Sequence, residues 1–75
     1  SDTAKKIVGN LSERVNQQEK SVEKTQVELD KVLKKLSNEN FVAKAKSEAV
    51  EKERRIKEEL ENKIAKFKES MNLYK

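Results

Sequence analysis

Residues 4 to 36 are ordered by a single repeat: Ala4, Val8, Leu11, Val15, Gln18, Val22, Thr25, Leu29, Val32 and Leu36 follow one another at alternating steps of four and three without a break. A chain with that period folds as a helix and buries the resulting stripe against another helix. With Val8, Val15, Val22, Leu29 and Leu36 as heptad position a, the d positions are Ala4, Leu11, Gln18, Thr25 and Val32. The a row is wholly apolar, while the polar Gln18 and Thr25 in the d row lower stability and help fix register. Composition alone is ambiguous, because 43% charged and 33% hydrophobic residues also suit a disordered chain. The repeat, together with one Gly and no Pro in 75 residues, decides for long helices.

In the second half Ala49, Glu53, Ile56, Leu60, Ile64, Phe67, Met71 and Tyr74 recur at threes and fours, with a slip of one residue between Leu60 and Ile64. Between the halves lies SNENFVAKAK, residues 37–46, the only stretch without the repeat. The fold predicted is all-α, a long antiparallel two-helix coiled-coil hairpin forming one arm over residues 1–75. Its helices run over 3–36 and 47–73 and are joined by a tip loop at 37–46. Ser1, Asp2 or Thr3 suits the first N-cap, and Ser47 the second. The predicted pairing sets Leu36 opposite Ala49, Leu29 opposite Ile56, Gln18 opposite Phe67 and Val15 opposite Met71. Phe41 and Val42 fold back to close the seam above Leu36, and Asn38 and Asn40 shape the turn through side-chain to backbone hydrogen bonds. Pairing of the same helices between chains, in a parallel oligomer, is the alternative.

The chain has no Cys and no His, so it lacks thiol nucleophiles, imidazole bases, disulfides and the usual zinc ligands. No apolar run approaches the roughly 20 residues of a membrane span, and the N-terminus has no signal-peptide core. A soluble, cytoplasmic, monomeric hairpin with no membrane contact is the expectation. A rod of this kind offers length and surface rather than a pocket, and no group of side chains converges on one. A net charge of +4 attracts anions mildly.

The stretch LSNENFVAKAKSEAVEKER resembles the tip of the C-terminal coiled-coil arm of bacterial valyl-tRNA synthetases. That family's pattern runs approximately L-[SA]-N-x-x-F-[VL]-x-K-A-P-x-x-V-[VI]-x-x-E-[RK]. Leu36, Ser37, Asn38, Phe41, Val42, Lys44, Ala45, Val50, Glu53 and Arg54 match it. The departures are Asn40, where Gly is frequent, Lys46 in place of Pro, and Ala49 in place of a β-branched residue. Asn40 tolerates a left-handed turn conformation.

The resemblance implies an arm that holds valine-accepting tRNA at its outer corner, where the D and T loops meet. It also implies that this fragment is not itself an enzyme: the parent is a valine–tRNA ligase whose catalytic motifs HIGH and KMSKS, and whose ATP and valine sites, lie outside these residues. The fragment itself is expected to need no cofactor and no metal. A folded RNA held by shape is gripped mainly through phosphates, so exposed cations are the candidate contacts. They are Lys20, Lys24, Lys31 and Lys34 on the outer side of the first helix, Lys44 and Lys46 at the tip, and Arg54 and Arg55 beyond it, with Lys35, Lys52 and Lys57 nearby. Lys31, Lys34, Arg54 and Arg55 are expected to form a basic band below the tip. Phe41 is read as closing the seam rather than stacking on a base, and Val27 as an exposed apolar contact. The competing function is a coiled-coil protein–protein interaction or self-association module with no RNA role.

Overall fold

The computed structural model describes the backbone of residues 2–73 and, within it, the side chains of all but residues 3–8. The seam positions Ala4, Val8 and Tyr74, and the proposed caps Ser1 and Thr3, therefore lie outside the described residues. Three helices follow in order: α1 over Asp2–Leu36, α2 over Glu39–Lys44 and α3 over Ser47–Asn72. α1 and α3 pack side by side in opposite directions with α2 across their end, giving a rod of 63 × 15 × 15 Å. This is the elongated helical hairpin that the repeat demands.

Along α1 the seam is the expected one from Val15 onward, whereas Leu11, expected in it, is 39% exposed. Thr25 and Leu29 are buried, and Val15, Gln18, Val22, Val32 and Leu36 are half-buried. On α3 the seam differs by one residue. Ala49 is exposed and Val50 buried, and the stripe continues without a slip through Glu53, Lys57, Leu60, Ile64, Phe67 and Met71. The apparent phase change near Leu60 therefore disappears once the seam starts at Val50.

Two cross-helix contacts set the register. Gln18 Nε2 donates to Ser70 Oγ at 2.9 Å, and Lys35 Nζ pairs with Glu53 at 3.1 Å. The residue numbers add to 88 in both pairs. The predicted pairing, Leu36 with Ala49, adds to 85. α3 is thus displaced by about three residues toward the tip, which puts Thr25 level with Ile64 and Leu29 level with Leu60.

That displacement is explained by α2, a helix where a loop was expected. α1 ends as Ser37 turns its hydroxyl back onto the Leu33 carbonyl and Asn38 leaves helical geometry at φ −79°, ψ 107°. Asn38 then caps α2: its Oδ1 accepts from the backbone N–H of Asn40 at 3.0 Å and of Phe41 at 3.3 Å. Six residues do not hold a helix unaided. Here Phe41 is half-buried, with the Lys35 ammonium 5.7 Å from its ring centre, so one cation bridges α1, α2 and the Glu53 carboxylate of α3. Val42 is exposed and flanks a small groove with Ala45, Ser47 and Val50, so the tip closes through Phe41 rather than through both residues. Asn40 lies inside α2, and no described residue has positive φ, so the reversal uses no left-handed turn.

The cap of α3 is Lys46, not Ser47. Lys46 is extended at φ −59°, ψ 142°, and its carbonyl accepts from Ala49 and Val50 N–H groups at 2.9 and 3.2 Å. No side chain completes the cap. The Lys46 N–H donates to no backbone carbonyl among the described residues, and Ala45 before it is extended at φ −71°, ψ 154°. Both conditions suit proline. Lys46→Pro, which restores the residue of the resembled family pattern, is expected to stabilise the hairpin by about 0.4–1 kcal/mol through the unfolded state. Thermal unfolding followed by circular dichroism checks this; a lower midpoint would mean that the N–H is needed.

Candidate nucleic-acid interface

Two flanks run along the rod, one on either side of the seam, and cross-helix neighbours identify them. Leu33 and Ser37 of α1 line a shallow groove of about 510 Å³ together with Arg54, Lys57, Glu58 and Glu61 of α3. Lys35 and Ser70 make their cross-helix contacts on the other flank. The seven-residue repeat extends each assignment along its helix. Ser21, Ile56 and Ser70 on the second flank are half-buried, whereas Glu19, Gln26, Arg54 and Glu61 on the groove flank are exposed. The half-buried residues beside the seam thus fall on the second flank, and the groove lies on the first.

Charge follows the same division. The flank of Lys35 and Ser70 carries Arg14, Lys24, Lys31 and Lys35 from α1 and Lys52, Lys63 and Lys66 from α3, against Glu28, Glu59 and the Glu53 carboxylate paired with Lys35: seven cations and three carboxylates, net +4. The groove flank carries Glu19, Glu23 and Asp30 from α1 and Glu51, Glu58 and Glu61 from α3, against Arg54, Lys57 and Lys68: six carboxylates and three cations, net −3. A modest overall charge thus conceals two faces of opposite sign.

The candidate contacts are distributed over these surfaces. Lys24 and Lys31 lie on the basic flank, seven residues and about 10 Å apart. Lys20, Lys34 and Arg55 occupy the narrow outer edges, and Lys44 and Lys46 the tip, all exposed. Arg54 sits on the acidic flank, where its guanidinium pairs with Glu51 at 2.6 Å. The structure therefore does not bring Arg54 together with Lys31, and the band expected below the tip is split between opposite faces. Lys57 is a half-buried seam residue paired with Glu61 at 3.6 Å. Arg14, Lys63 and Lys66 are basic-flank residues that sequence reasoning passed over; Lys63 also stands 5.9 Å from the Phe67 ring centre. Their signal was a repeat of seven on the flank beside the seam, legible once the α3 phase is known. Val27 is exposed on the outer edge of α1.

Among the described residues no group of His, Cys, Asp or Glu is arranged to hold a metal ion, and no helix is long and apolar enough to cross a membrane. The chemistry on offer is a row of amines on a rigid rod, suited to spaced phosphates.

Residues 10–73 match the family model described as the valyl tRNA synthetase tRNA binding arm. The chain is 51% identical over 63 residues to the valine–tRNA ligase of Aquifex aeolicus, covering 84% of this chain and 5% of the relative. It is 51% identical over 43 residues to that of Phocaeicola vulgatus, covering 57% and 5%, and 39% identical over 61 residues to that of Fusobacterium nucleatum, covering 81% and 6%. It spans about a twentieth of the length of these relatives. No solved structure matches it. With 64 of 75 residues inside the family model, on a helical hairpin with an exposed basic flank, the chain belongs to the tRNA-binding arm family of valyl-tRNA synthetases.

Proposed function

We propose that this hairpin is the arm with which a valine–tRNA ligase holds valine-accepting tRNA at its outer corner, supporting an ATP-dependent aminoacylation carried out elsewhere in the protein. The observation that carries the reading is the family match over residues 10–73. The geometry agrees with it: a rod 63 Å long and 15 Å thick reaches along a folded RNA, and amines on its surface grip phosphates without reading sequence. ATP and valine have no role at the arm in this reading. The arm acts as a monomeric hairpin, in the cytoplasm where charged tRNA is used.

Removing residues 10–73 from the full-length protein tests it. The expected result is about tenfold weaker binding of valine-accepting tRNA, equivalent to about 1.4 kcal/mol, with a matching rise in the KM for tRNA. Valine-dependent ATP–pyrophosphate exchange, which needs no tRNA, stays unchanged. Unaltered tRNA affinity and charging would sink the proposal.

A further inference from the structure

We infer that RNA docks on one broad face of the hairpin, the one carrying Lys24, Lys31, Lys52, Lys63 and Lys66, and that the opposite carboxylate-rich face turns it away. The inference rests on the proposed tRNA reading and adds to it the rotational setting of the arm about its long axis.

The magnitudes favour a face over net charge. The rod is 15 Å thick, and the Debye length at physiological ionic strength is about 8 Å. A phosphate touching one face is therefore screened from most of the charge on the other. It meets a surface of net +4 on one side and of net −3 on the other, rather than a charge spread evenly around the rod. Phosphates brought against Glu23, Asp30 and Glu58 are repelled, and that penalty selects between orientations. Topography agrees with charge. The basic flank is the one where Lys35 and Ser70 reach across to the other helix and Ser21, Ile56 and Ser70 are half-buried, so a ribose-phosphate backbone can lie across both helices at once. The exposed Ala49 sits among the lysines there as uncharged surface that sugars and exposed bases accept. The acidic flank is an open groove with Arg54 already engaged by Glu51.

The test uses the full-length protein and valine-accepting tRNA with two sets of four substitutions that remove equal charge. The face set is Lys24→Gln, Lys31→Gln, Lys52→Gln and Lys66→Gln. The control set is Lys20→Gln, Lys34→Gln, Arg55→Gln and Lys68→Gln. Glutamine keeps helix propensity, and circular dichroism of each variant verifies an unchanged helix content. The face set is expected to weaken binding by close to the full tenfold expected from removing the arm and to lower the slope of log K against log salt by about 3, since each lost phosphate contact removes about 0.7–0.9. The control set is expected to cost less than about threefold and less than about 1 in slope. Equal losses from the two sets, or a larger loss from the control set, would overturn the face assignment. The deletion of residues 10–73 separates the two levels: if it weakens tRNA binding while the sets lose equally, only the face is wrong. If the deletion has no effect, the tRNA reading fails and the face with it.

Discussion

Leu29→Ala is expected to destabilise the hairpin by about 2–4 kcal/mol and to lower its melting midpoint by at least about 10 °C. Leu29 is one of only three apolar side chains among the described residues that are buried, with Val50 and Ile64, and none is fully enclosed. A two-helix rod buries one stripe per helix, so each closed layer carries a large share of the total. A chain below about 80 residues rarely gains more than about 3–5 kcal/mol from such a core. Deleting three methylene-equivalents from the middle of the seam, level with Leu60, leaves a gap that two helices cannot collapse around without losing neighbouring layers. Leu33→Ala provides the contrast on the same helix. Leu33 is 38% exposed at the rim of the groove and is expected to cost less than about 1 kcal/mol. Urea unfolding of both variants decides the matter; equal losses would mean that the burial difference carries no energy. Because the arm binds as a folded unit in our reading, Leu29→Ala also weakens tRNA binding as temperature rises, while changing no surface charge.

The contrast between Leu29 and Leu33 shows what the sequence makes legible. On α1 the a positions are uniformly apolar, so one stripe outcompetes its neighbours and periodicity alone separates Leu29 from Leu33. On α3 two adjacent stripes are nearly equivalent: Ala49, Ile56, Lys63 and Ser70, or Val50, Lys57, Ile64 and Met71. The first holds two apolar residues and the second three, each with a lysine inside it, so periodicity separates them weakly and packing against α1 selects the second. Val50 is the buried one of the pair, close to Val42 and Ala45 at the tip, and α2 is itself hidden in the sequence by its six-residue length and its polar ends. The consequence for the candidate site is large. Exchanging the Ala49 row for the Val50 row while Glu53, Leu60 and Phe67 stay in the seam turns α3 by about 50°, half of the roughly 100° per residue. That rotation carries Arg54 from the expected basic band onto the acidic face, where it meets Glu51. The contacts on α1 needed no such knowledge, and Lys24 and Lys31 lie on the outward side that their heptad positions imply.

Gln18→Met is expected to stabilise the hairpin by about 1–3 kcal/mol and raise its midpoint by about 5–15 °C, at a loss of specificity. The Gln18 amide lies in the seam with Nε2 bonded to Ser70 Oγ and Oε1 buried without a partner. Exchanging the amide oxygen and nitrogen does not help, because Ser70 Oγ satisfies only one of the two ends. A buried polar atom left without a partner costs about 1–3 kcal/mol, and methionine fills a similar volume with none. Ser70 loses its cross-helix donor but can return its hydroxyl to the preceding turn of its own helix. An amide this costly has a use if it excludes alternatives. Sliding α3 by a heptad, or pairing α1 with α1 of a second chain, separates Gln18 from Ser70 and buries the whole amide unpaired. In Gln18→Met those alternatives lose their penalty. Sedimentation of the wild-type and variant hairpins at equal concentration should then show a single monomeric species for the first and an added associating fraction for the second. A variant that melts higher and stays monomeric would assign Gln18 a cost in stability without a role in register.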